Sequence, residues 1–280
     1  MKKLISFAVL GLASLSLGGC AIQHGEDGAG DPGQGDQAFS ANWNYSWGDT
    51  KQSSADIGTS VGRTCFLTGI GGNFRPGGTI WDPPGSWNPA SGGVRINAQG
   101  HYEIFVNPNP GQSIIVQARC VNGATNRVFG TWTGGADTVL GATSTKRQCF
   151  LTSINNAAVN STYTSNWAFT NTTDFVQVHH DRYRWYVGGA IANGWVSASA
   201  VCIDDFTAEG SYGVGLAPSA GSNTVPMTNV AGSTCGLTKV QGSLQAAFGD
   251  WNDELVIAAS GAQFSLTSHN GKAGAATCMQ

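Results

Sequence analysis

Tryptophan close to asparagine or aspartate is the residue combination in this sequence with the clearest chemical potential. Its members are Trp81, Asp82, Trp87, Asn166, Trp167, Trp251 and Asp253. An indole ring can stack on the apolar face of a sugar, while amide and carboxylate groups bond to the sugar hydroxyls. The combination predicts a ligand-binding surface for carbohydrate. The alternative is that these rings cap the core of a small domain, because tryptophan is usually substantially buried.

Residue patterns that would indicate an enzyme are scarce. The sequence has neither a His-Glu-x-x-His metal motif nor a Gly-Lys-Ser/Thr phosphate loop. It has four Glu residues, and one of them lies in the Gly-rich N-terminal stretch, which leaves few candidates for a glycosidase-type carboxylate pair. If six of the cysteines form disulfides, no thiol among them remains as a nucleophile. We therefore expect a protein that is not an enzyme and uses no cofactor.

The densest group of metal-ligating residue types is His179-His180-Asp181. It falls where two predicted strands turn around, and the corresponding turns elsewhere in the chain lack it. A hairpin tip in contact with solvent explains this group, and we predict no metal site.

The seven cysteines divide into one plus six. Cys20 ends an N-terminal apolar segment, and the other six form three pairs with similar surroundings. These pairs are Cys65 with Cys120, Cys149 with Cys202, and Cys235 with Cys278. We favour disulfides within each pair. The alternative is cyclic and joins Cys120 to Cys149 and Cys202 to Cys235.

Matching phrases surround the three pairs. Cys-x-Leu-Thr-x-Ile/Val begins at each first cysteine, and small residues precede each second one. Trp47 and Trp132 precede the first cysteines of their repeats at similar distances. Two further strands match, namely Val94–Ile96 with Val176–Val178 and Leu255–Ile257, then Tyr102–Ile104 with Tyr183–Trp185 and Ala262–Phe264. Agreement at this many ordered points indicates a threefold internal repeat.

The matched stretches alternate between apolar and polar residues, which is typical of strands with one buried face. No stretch has a convincing helical period. We therefore predict an all-β protein of three tandem, disulfide-stapled antiparallel units of about 80 residues each. The predicted units are 41–122, 123–204 and 205–280, arranged either as beads along the chain or as a pseudo-threefold ring.

The N-terminus has the layout of an export signal. Met1–Lys3 is basic, Leu4–Leu17 is apolar, and the small residues Gly18-Gly19 precede Cys20. These residues resemble the signal peptide and lipobox of bacterial lipoprotein precursors. The resemblance covers residues 1–20 only. It implies removal of residues 1–19, lipidation of Cys20 and, because Ala21 rather than Asp follows, sorting to the outer membrane.

Composition agrees with an exported protein. Residues 20–40 are rich in Gly and Asp, and we predict that they form a flexible tether. The net charge is −3 and no basic cluster occurs, so we expect no nucleic-acid partner. Paired cysteines are typical of an oxidising compartment.

Two functions remain open on this basis. The first is a membrane-anchored lipoprotein of the cell surface that acts as a non-catalytic binding module for carbohydrate or an envelope polymer. The second is a structural or protein-interaction component of the cell envelope. Exposed tryptophans on one face favour the first function, and buried ones favour the second. The expected partners are the membrane, through the lipid on Cys20, and a glycan or an envelope protein.

Overall fold

The computed structural model of the protein describes residues 43–49, 52–75, 90–109, 112–124, 126–157, 169–192, 195–229, 231–245 and 253–280. These residues form eighteen β-strands and no helix, so none of them belongs to a helix that could cross a membrane. The strands are β1 (Trp43–Asp49), β2 (Ser53–Thr59), β3 (Arg63–Gly72), β4 (Ala90–Ile96), β5 (His101–Asn107), β6 (Ile114–Asn122), β7 (Val128–Trp132), β8 (Thr138–Ala142), β9 (Gln148–Ala157), β10 (Phe175–His180), β11 (Arg184–Ala190), β12 (Trp195–Ile203), β13 (Ala208–Val214), β14 (Ser222–Asn229), β15 (Thr234–Gly242), β16 (Glu254–Ser260), β17 (Gln263–His269) and β18 (Lys272–Met279).

Each sequence repeat contributes six strands: β1 to β6, β7 to β12, and β13 to β18. In every repeat the two cysteines face each other across neighbouring antiparallel strands. The disulfides are Cys65–Cys120, Cys149–Cys202 and Cys235–Cys278. The predictions of an all-β fold, of antiparallel units and of disulfides within the repeats are therefore confirmed.

The strands form three six-stranded sheets with the same order. The first sheet is β1-β6-β3-β16-β17-β14, the second is β7-β12-β9-β4-β5-β2, and the third is β13-β18-β15-β10-β11-β8. Each sheet takes three strands from one repeat and three from another, in a cycle that includes all three repeats. The repeats therefore interlock through backbone hydrogen bonds and are not independent beads.

Within a repeat, the two three-stranded halves face each other as a small two-layer sandwich. In the first repeat, β1-β6-β3 packs against β2-β5-β4, and the other repeats have the equivalent contacts. Apolar side chains from both layers fill the space between them, and the disulfides are part of this core.

The strands that carry the first cysteines, β3, β9 and β15, also contact one another at the centre of the molecule. Phe66 and Phe150 stack there, with ring centroids 4.4 Å apart. The equivalent position in the third repeat is Gly236, and a Cβ on it would lie 2.5 Å from the Phe150 ring. Only two rings fit at this centre, which explains why the third repeat has Gly between its cysteine and leucine.

A β-bulge explains the threonine of the Cys-x-Leu-Thr phrase. The strand register shifts at Thr68, Thr152 and Thr238, so each threonine is the additional residue of a bulge. Because of this additional residue, Leu67 and Ile70 both belong to the core although they are three positions apart. The repeated phrase therefore encodes a bulge that bends the strand.

The sequence match of β4 in the first repeat is wrong by two residues. Pairing with the adjacent strand makes Gly92, and not Val94, the counterpart of Val176 and Leu255. A shift of two residues leaves the alternation of buried and exposed positions unchanged, so periodicity alone cannot detect it.

The match of β5 contains the same shift. The hairpin register makes Tyr102, and not Ile104, the counterpart of Trp185 and Phe264. Each repeat therefore has a buried aromatic residue at this position.

Gly92 is small because its neighbour in the opposite layer is large. A Cβ on Gly92 would lie 2.8 Å from Cγ2 of Val116. The third repeat reverses the sizes, since Leu255 faces Gly274, and a Cβ on Gly274 would lie 2.3 Å from Cδ2 of Leu255. The repeats thus fill equivalent space with different pairs of side chains.

The two ends of the sheets differ. The disulfide end contains the six paired cysteines and the start of β1, because Trp43 pairs with Cys120. At the opposite end, the loop end, β3, β9 and β15 finish and β4, β10 and β16 begin. The connections that carry the predicted binding residues leave and re-enter the sheets at the loop end.

We predict that Gly92→Ala lowers the free energy of unfolding by about 1–3 kcal/mol, because the new methyl group overlaps Val116. Val116→Ala alone should also destabilise by leaving a cavity. The double variant should lose less than the sum of the two, because each change accommodates the other. Denaturant unfolding of the four proteins measures this coupling, and strictly additive losses would contradict the packing described.

Candidate functional site

Backbone from all three repeats meets at the loop end. The Phe74 N–H donates to the Leu244 carbonyl at 2.8 Å, and the Leu244 N–H donates to the Phe169 carbonyl at 3.1 Å. Asn156 Nδ2 donates to the Phe74 carbonyl at 2.8 Å. Phe74, Phe169 and Leu244 are fully buried. In each repeat, one residue is thus fixed next to that repeat's connection between the first and second matched strands.

Most of the predicted binding residues lie outside the described part of the chain. They are Trp81, Asp82, Trp87, Asn166, Trp167 and Trp251, and Cys20 lies outside it as well. Their roles in binding and lipidation stay predictions. The described residues that flank the tryptophan-bearing connections all lie at one end of the molecule.

Asp253, the remaining predicted residue, is 4 % exposed. Its carboxylate accepts a hydrogen bond from Nζ of Lys272, which is fully buried. The positions equivalent to Lys272 in the other repeats are Ile114 and Val196. Since a buried ammonium group requires an anionic partner, the structure places Asp253 in an ion pair of the third repeat and not at the surface.

Asp174, the counterpart of Asp253 in the second repeat, binds backbone instead. Its Oδ1 accepts from the Ala192 N–H at 2.9 Å, and its Oδ2 accepts from the Thr170 and Asn171 N–H groups at 3.3 and 3.4 Å. The carboxylate therefore joins the end of the Trp167 connection to the turn that follows β11.

A cavity of about 750 Å³ lies beside Asp174 at the loop end. Trp132 at the end of β7, the Gly134-Gly135 turn and residues 189–192 form much of its wall. Trp132 is 3 % exposed, and its Nε1 donates to the Gly135 carbonyl at 3.2 Å. The volume is in the range of small-molecule sites, roughly 300–1,000 Å³.

The polar groups of this cavity are mostly neutral or already bonded. Asp174 is its acidic residue, and the carboxylate already accepts three backbone hydrogen bonds. Thr133, Thr173 and Trp132 also line the cavity, together with glycines and apolar residues that include Ile191 and Val196. Such a lining fits a neutral ligand with hydroxyl groups.

A carboxyl group with a raised pKa lies where the first and third repeats join. Gln117 Nε2 on β6 donates to Glu254 Oε2 on β16 at 2.8 Å. Burial raises the pKa of Glu254 to about 7; the hydrogen bond from Gln117 and the charge of Lys272 oppose the increase, and Asp253 adds to it. This junction therefore contains a group that titrates near neutral pH.

The His179-His180-Asp181 group lies at the turn between β10 and β11, which confirms the predicted hairpin tip. His179 bonds to Asp137 at 2.8 Å. The N–H groups of Tyr183 and Arg184 donate to Asp181 Oδ1 and help to lower the pKa of Asp181. The described residues contain no group of three or more His, Cys, Asp or Glu that could hold a metal.

A Gly-x-Ser-x-Gly spacing, typical of a hydrolase nucleophile, spans Gly58 to Gly62 and was not among the predicted sites. Ser60 lies in the turn between β2 and β3 and is 9 % exposed, while the nearby His101 Nδ1 bonds to Asp56 at 2.8 Å. Within the described residues no hydrogen bond joins Ser60 to the His101 ring, and no helix follows the turn. These residues do not form a nucleophile and base.

Sequence reasoning did not identify the cavity beside Trp132. It matched Trp132 with Trp47, and strand pairing confirms that match, because their partners Ala198 and Val116 are equivalent. The glycines around the cavity are the other sequence feature that could have revealed it. Glycines at strand ends usually indicate only turns or bulges.

Comparison with known proteins gives no family for this chain. No protein-family model, no curated protein and no solved structure matches it. The three disulfides indicate an oxidising environment outside the cytoplasm.

We predict that Glu254→Gln makes stability less dependent on pH. A carboxyl group in the unfolded chain ionises near pH 4, whereas Glu254 in the folded protein stays protonated up to about pH 7. Stability from this group is therefore complete at low pH and is lost as the pH rises through 7. A shift of this size corresponds to about 3 kcal/mol, so the variant should be more stable than the natural protein in mildly alkaline solution.

Denaturant unfolding between acidic and mildly alkaline pH measures this difference. Glu209→Gln is the matched control, because Glu209 is exposed. Parallel pH profiles for the natural protein and Glu254→Gln would contradict the prediction.

Proposed function

We propose that this chain is an exported, membrane-anchored binding protein of the cell surface with no catalytic activity. Its proposed ligand is a carbohydrate or another polymer of the cell envelope. The observation that carries this proposal is the convergence of Phe74, Phe169 and Leu244 at the loop end. These residues adjoin the three connections that carry the predicted tryptophans, which are therefore proposed to form one composite surface.

The chemistry of the loop end supports the proposed ligand class. The cavity beside Trp132 offers hydroxyl groups, backbone and an aromatic wall, and its carboxylate is already bonded. A polymer of repeating neutral units can engage the cavity and neighbouring aromatic rings together. Simultaneous contacts of this kind raise overall affinity without requiring any single strong contact.

The proposed lipid anchor is consistent with the end of the molecule at which β1 begins. β1 begins at the disulfide end, because Trp43 pairs with Cys120. A lipid on Cys20 would therefore tether the protein from the disulfide end and leave the loop end free to face away from the membrane. Two or more acyl chains give stable attachment, and the outer membrane is the proposed location.

The predicted tryptophans provide the main test of this function. Trp81→Ala, Trp87→Ala, Trp167→Ala and Trp251→Ala should each weaken binding to an envelope polysaccharide, by about tenfold for a ring at the centre of the contact. Glycan arrays and polysaccharide pull-down with the detergent-solubilised protein measure the effect.

Tyr183→Ala is the matched control for the tryptophan variants, because Tyr183 is an aromatic residue that is 68 % exposed at the hairpin tip near the disulfide end. It should leave polysaccharide binding unchanged. If no glycan binds the natural protein and an envelope protein is captured through the same tryptophans, the alternative function as a protein-interaction component replaces the one proposed.

We predict that Cys20→Ala releases the protein from the membrane without unfolding it. The reason is that Cys20 is the proposed lipid attachment site, whereas the core is held by the other six cysteines. Fractionation of cells and metabolic labelling with a fatty-acid analogue measure attachment and lipidation. A labelled, membrane-bound Cys20→Ala protein would contradict the proposed anchor.

A further inference from the structure

A second cavity lies between the second and third repeats, near the disulfide end. In the third sheet, β10 pairs with β15 only through Phe175–Gln177. Beyond these residues the β10–β11 hairpin and the strands of the third repeat separate. A cavity of about 480 Å³ occupies the space between them.

An arginine fills the corresponding space in the first sheet. The Arg119 guanidinium lies over the Phe264 ring, 4.6 Å from its centroid, and the residue is 4 % exposed. Phe264 is the counterpart of Trp185, and Arg119 is the counterpart of Thr277, since each directly precedes the second cysteine of its repeat. Threonine in place of arginine leaves room beside Trp185.

An arginine also reaches the equivalent aromatic residue in the second sheet. There, Arg127 Nη1 lies 3.4 Å from the Tyr102 hydroxyl. Arg127 is held in place by the carbonyls of Ser60 and Arg63 at 2.8 and 2.7 Å. The third sheet differs from both, because its aromatic residue lines an open cavity.

The lining of this cavity combines an aromatic wall with hydroxyl groups. Trp185 is 9 % exposed, and the His180 ring lies 4.6 Å from it, centroid to centroid. The lining also contains hydroxyl-bearing residues of two repeats, namely Ser144, Thr145, Ser211 and Thr277, together with small apolar residues. The Ser211 and Thr277 hydroxyl groups lie 3.3 Å apart and bond to each other. Each hydroxyl group can donate and accept a hydrogen bond.

The charged groups of the lining are already compensated. Arg147 forms two hydrogen bonds with Asp204, at 2.6 and 2.8 Å. His179 bonds to Asp137 at 2.8 Å. The cavity therefore favours a neutral ligand over an anion or a cation.

The indole N–H of Trp185 is an unsatisfied donor among the described residues. Its Nε1 is buried and has no hydrogen-bond acceptor within the described part of the chain. Buried donors are normally satisfied, and a ligand in the cavity would bond to this one after a small movement of the Trp185 side chain. The donor belongs to a residue that lines the cavity.

We propose that this cavity between the second and third repeats binds a single neutral sugar unit. Its hydroxyl groups meet the hydroxyl-rich wall, and its apolar ring face meets the Trp185 side. The site is separate from the loop end, so it does not depend on the function proposed there.

Isothermal titration of the detergent-solubilised full chain with neutral monosaccharides tests the proposal. Glucose, galactose and N-acetylglucosamine are the probes, with glucuronate as the anionic comparison. Saturable binding of at least one neutral sugar at millimolar concentration or below is expected. Absence of binding by all three neutral sugars, or tighter binding of glucuronate, would overturn the proposal.

Two variants locate the binding site, and both introduce residues that the chain already uses at equivalent positions. Thr277→Arg should weaken sugar binding at least tenfold by filling the cavity as Arg119 does. Trp185→Phe keeps an aromatic ring, as in Phe264, but removes the indole N–H, and should weaken binding severalfold. Thr131→Arg adds the same charge at an exposed position of the second sheet and is the control.

The outcomes for the two proposed sites are distinguishable. Thr277→Arg should leave polysaccharide binding at the loop end unchanged, and Trp167→Ala should leave monosaccharide binding unchanged. If both cavity variants bind the monosaccharide as tightly as the natural protein does, the cavity is not the site. If Thr277→Arg does not fold, Trp185→Phe alone decides between these results.

Discussion

Backbone pairing between repeats is the constraint on which the rest of this structure depends. Without a partner from another repeat, each sandwich would expose the edges of its two inner strands, and such edges invite aggregation. β3 pairs with β16, β4 with β9, and β10 with β15. All three ladders lie at the loop end, directly beside the connections that carry the predicted binding residues. The disulfides stabilise each repeat by restricting its unfolded chain, but the ladders are what bring the described residues that flank the three connections to one end of the molecule.

Sequence patterns were sufficient for the fold class, the repeat and the disulfides, because each depends on a local feature that recurs three times. The alternation in β6 and the cysteine positions determine which residues face the core, whatever the partner strand. Exchange of strands between repeats has no such local signature. A strand buried on both faces, such as β3, has the same apolar pattern whether its neighbour belongs to its own repeat or to another.

The candidate site was predictable only as a set of residue types. Asp253 shows the limit, since its partner Lys272 lies where the other repeats have Ile114 and Val196 and nothing near Asp253 in sequence reveals the contact.

Divergence among the repeats follows from packing and not only from surface change. Gly92 with Val116 and Leu255 with Gly274 fill equivalent space with opposite sizes, so neither residue of a pair can be interpreted alone. This reversal of sizes also explains why the repeats were matched wrongly at β4. Gly92 is the counterpart of Val176 and Leu255, and an apolar side chain was expected at that position. A difference in side-chain size also explains the cavity beside Trp185, where one position holds Thr277 instead of an arginine. In an interlocked fold, a smaller side chain at one position leaves space between repeats, and a cavity can form there without a change in the backbone.

Three sheets with the same strand order create a problem of specificity, because the hairpin of any repeat could in principle pair with the wrong neighbour. The side chains at the junctions differ in a way that opposes this error. At the first junction, Gln117 donates to the partly buried carboxyl group of Glu254. At the third, Lys239 lies over the ring of Phe175, which replaces Glu254 at the equivalent position. The position equivalent to Gln117 there is Ala275, so Phe175 on the first sheet would leave Gln117 without its acceptor and would lose its contact with Lys239. An unsatisfied polar group costs up to about 1–3 kcal/mol when it is fully buried and less when it is partly exposed, and this cost favours the correct cyclic order of repeats.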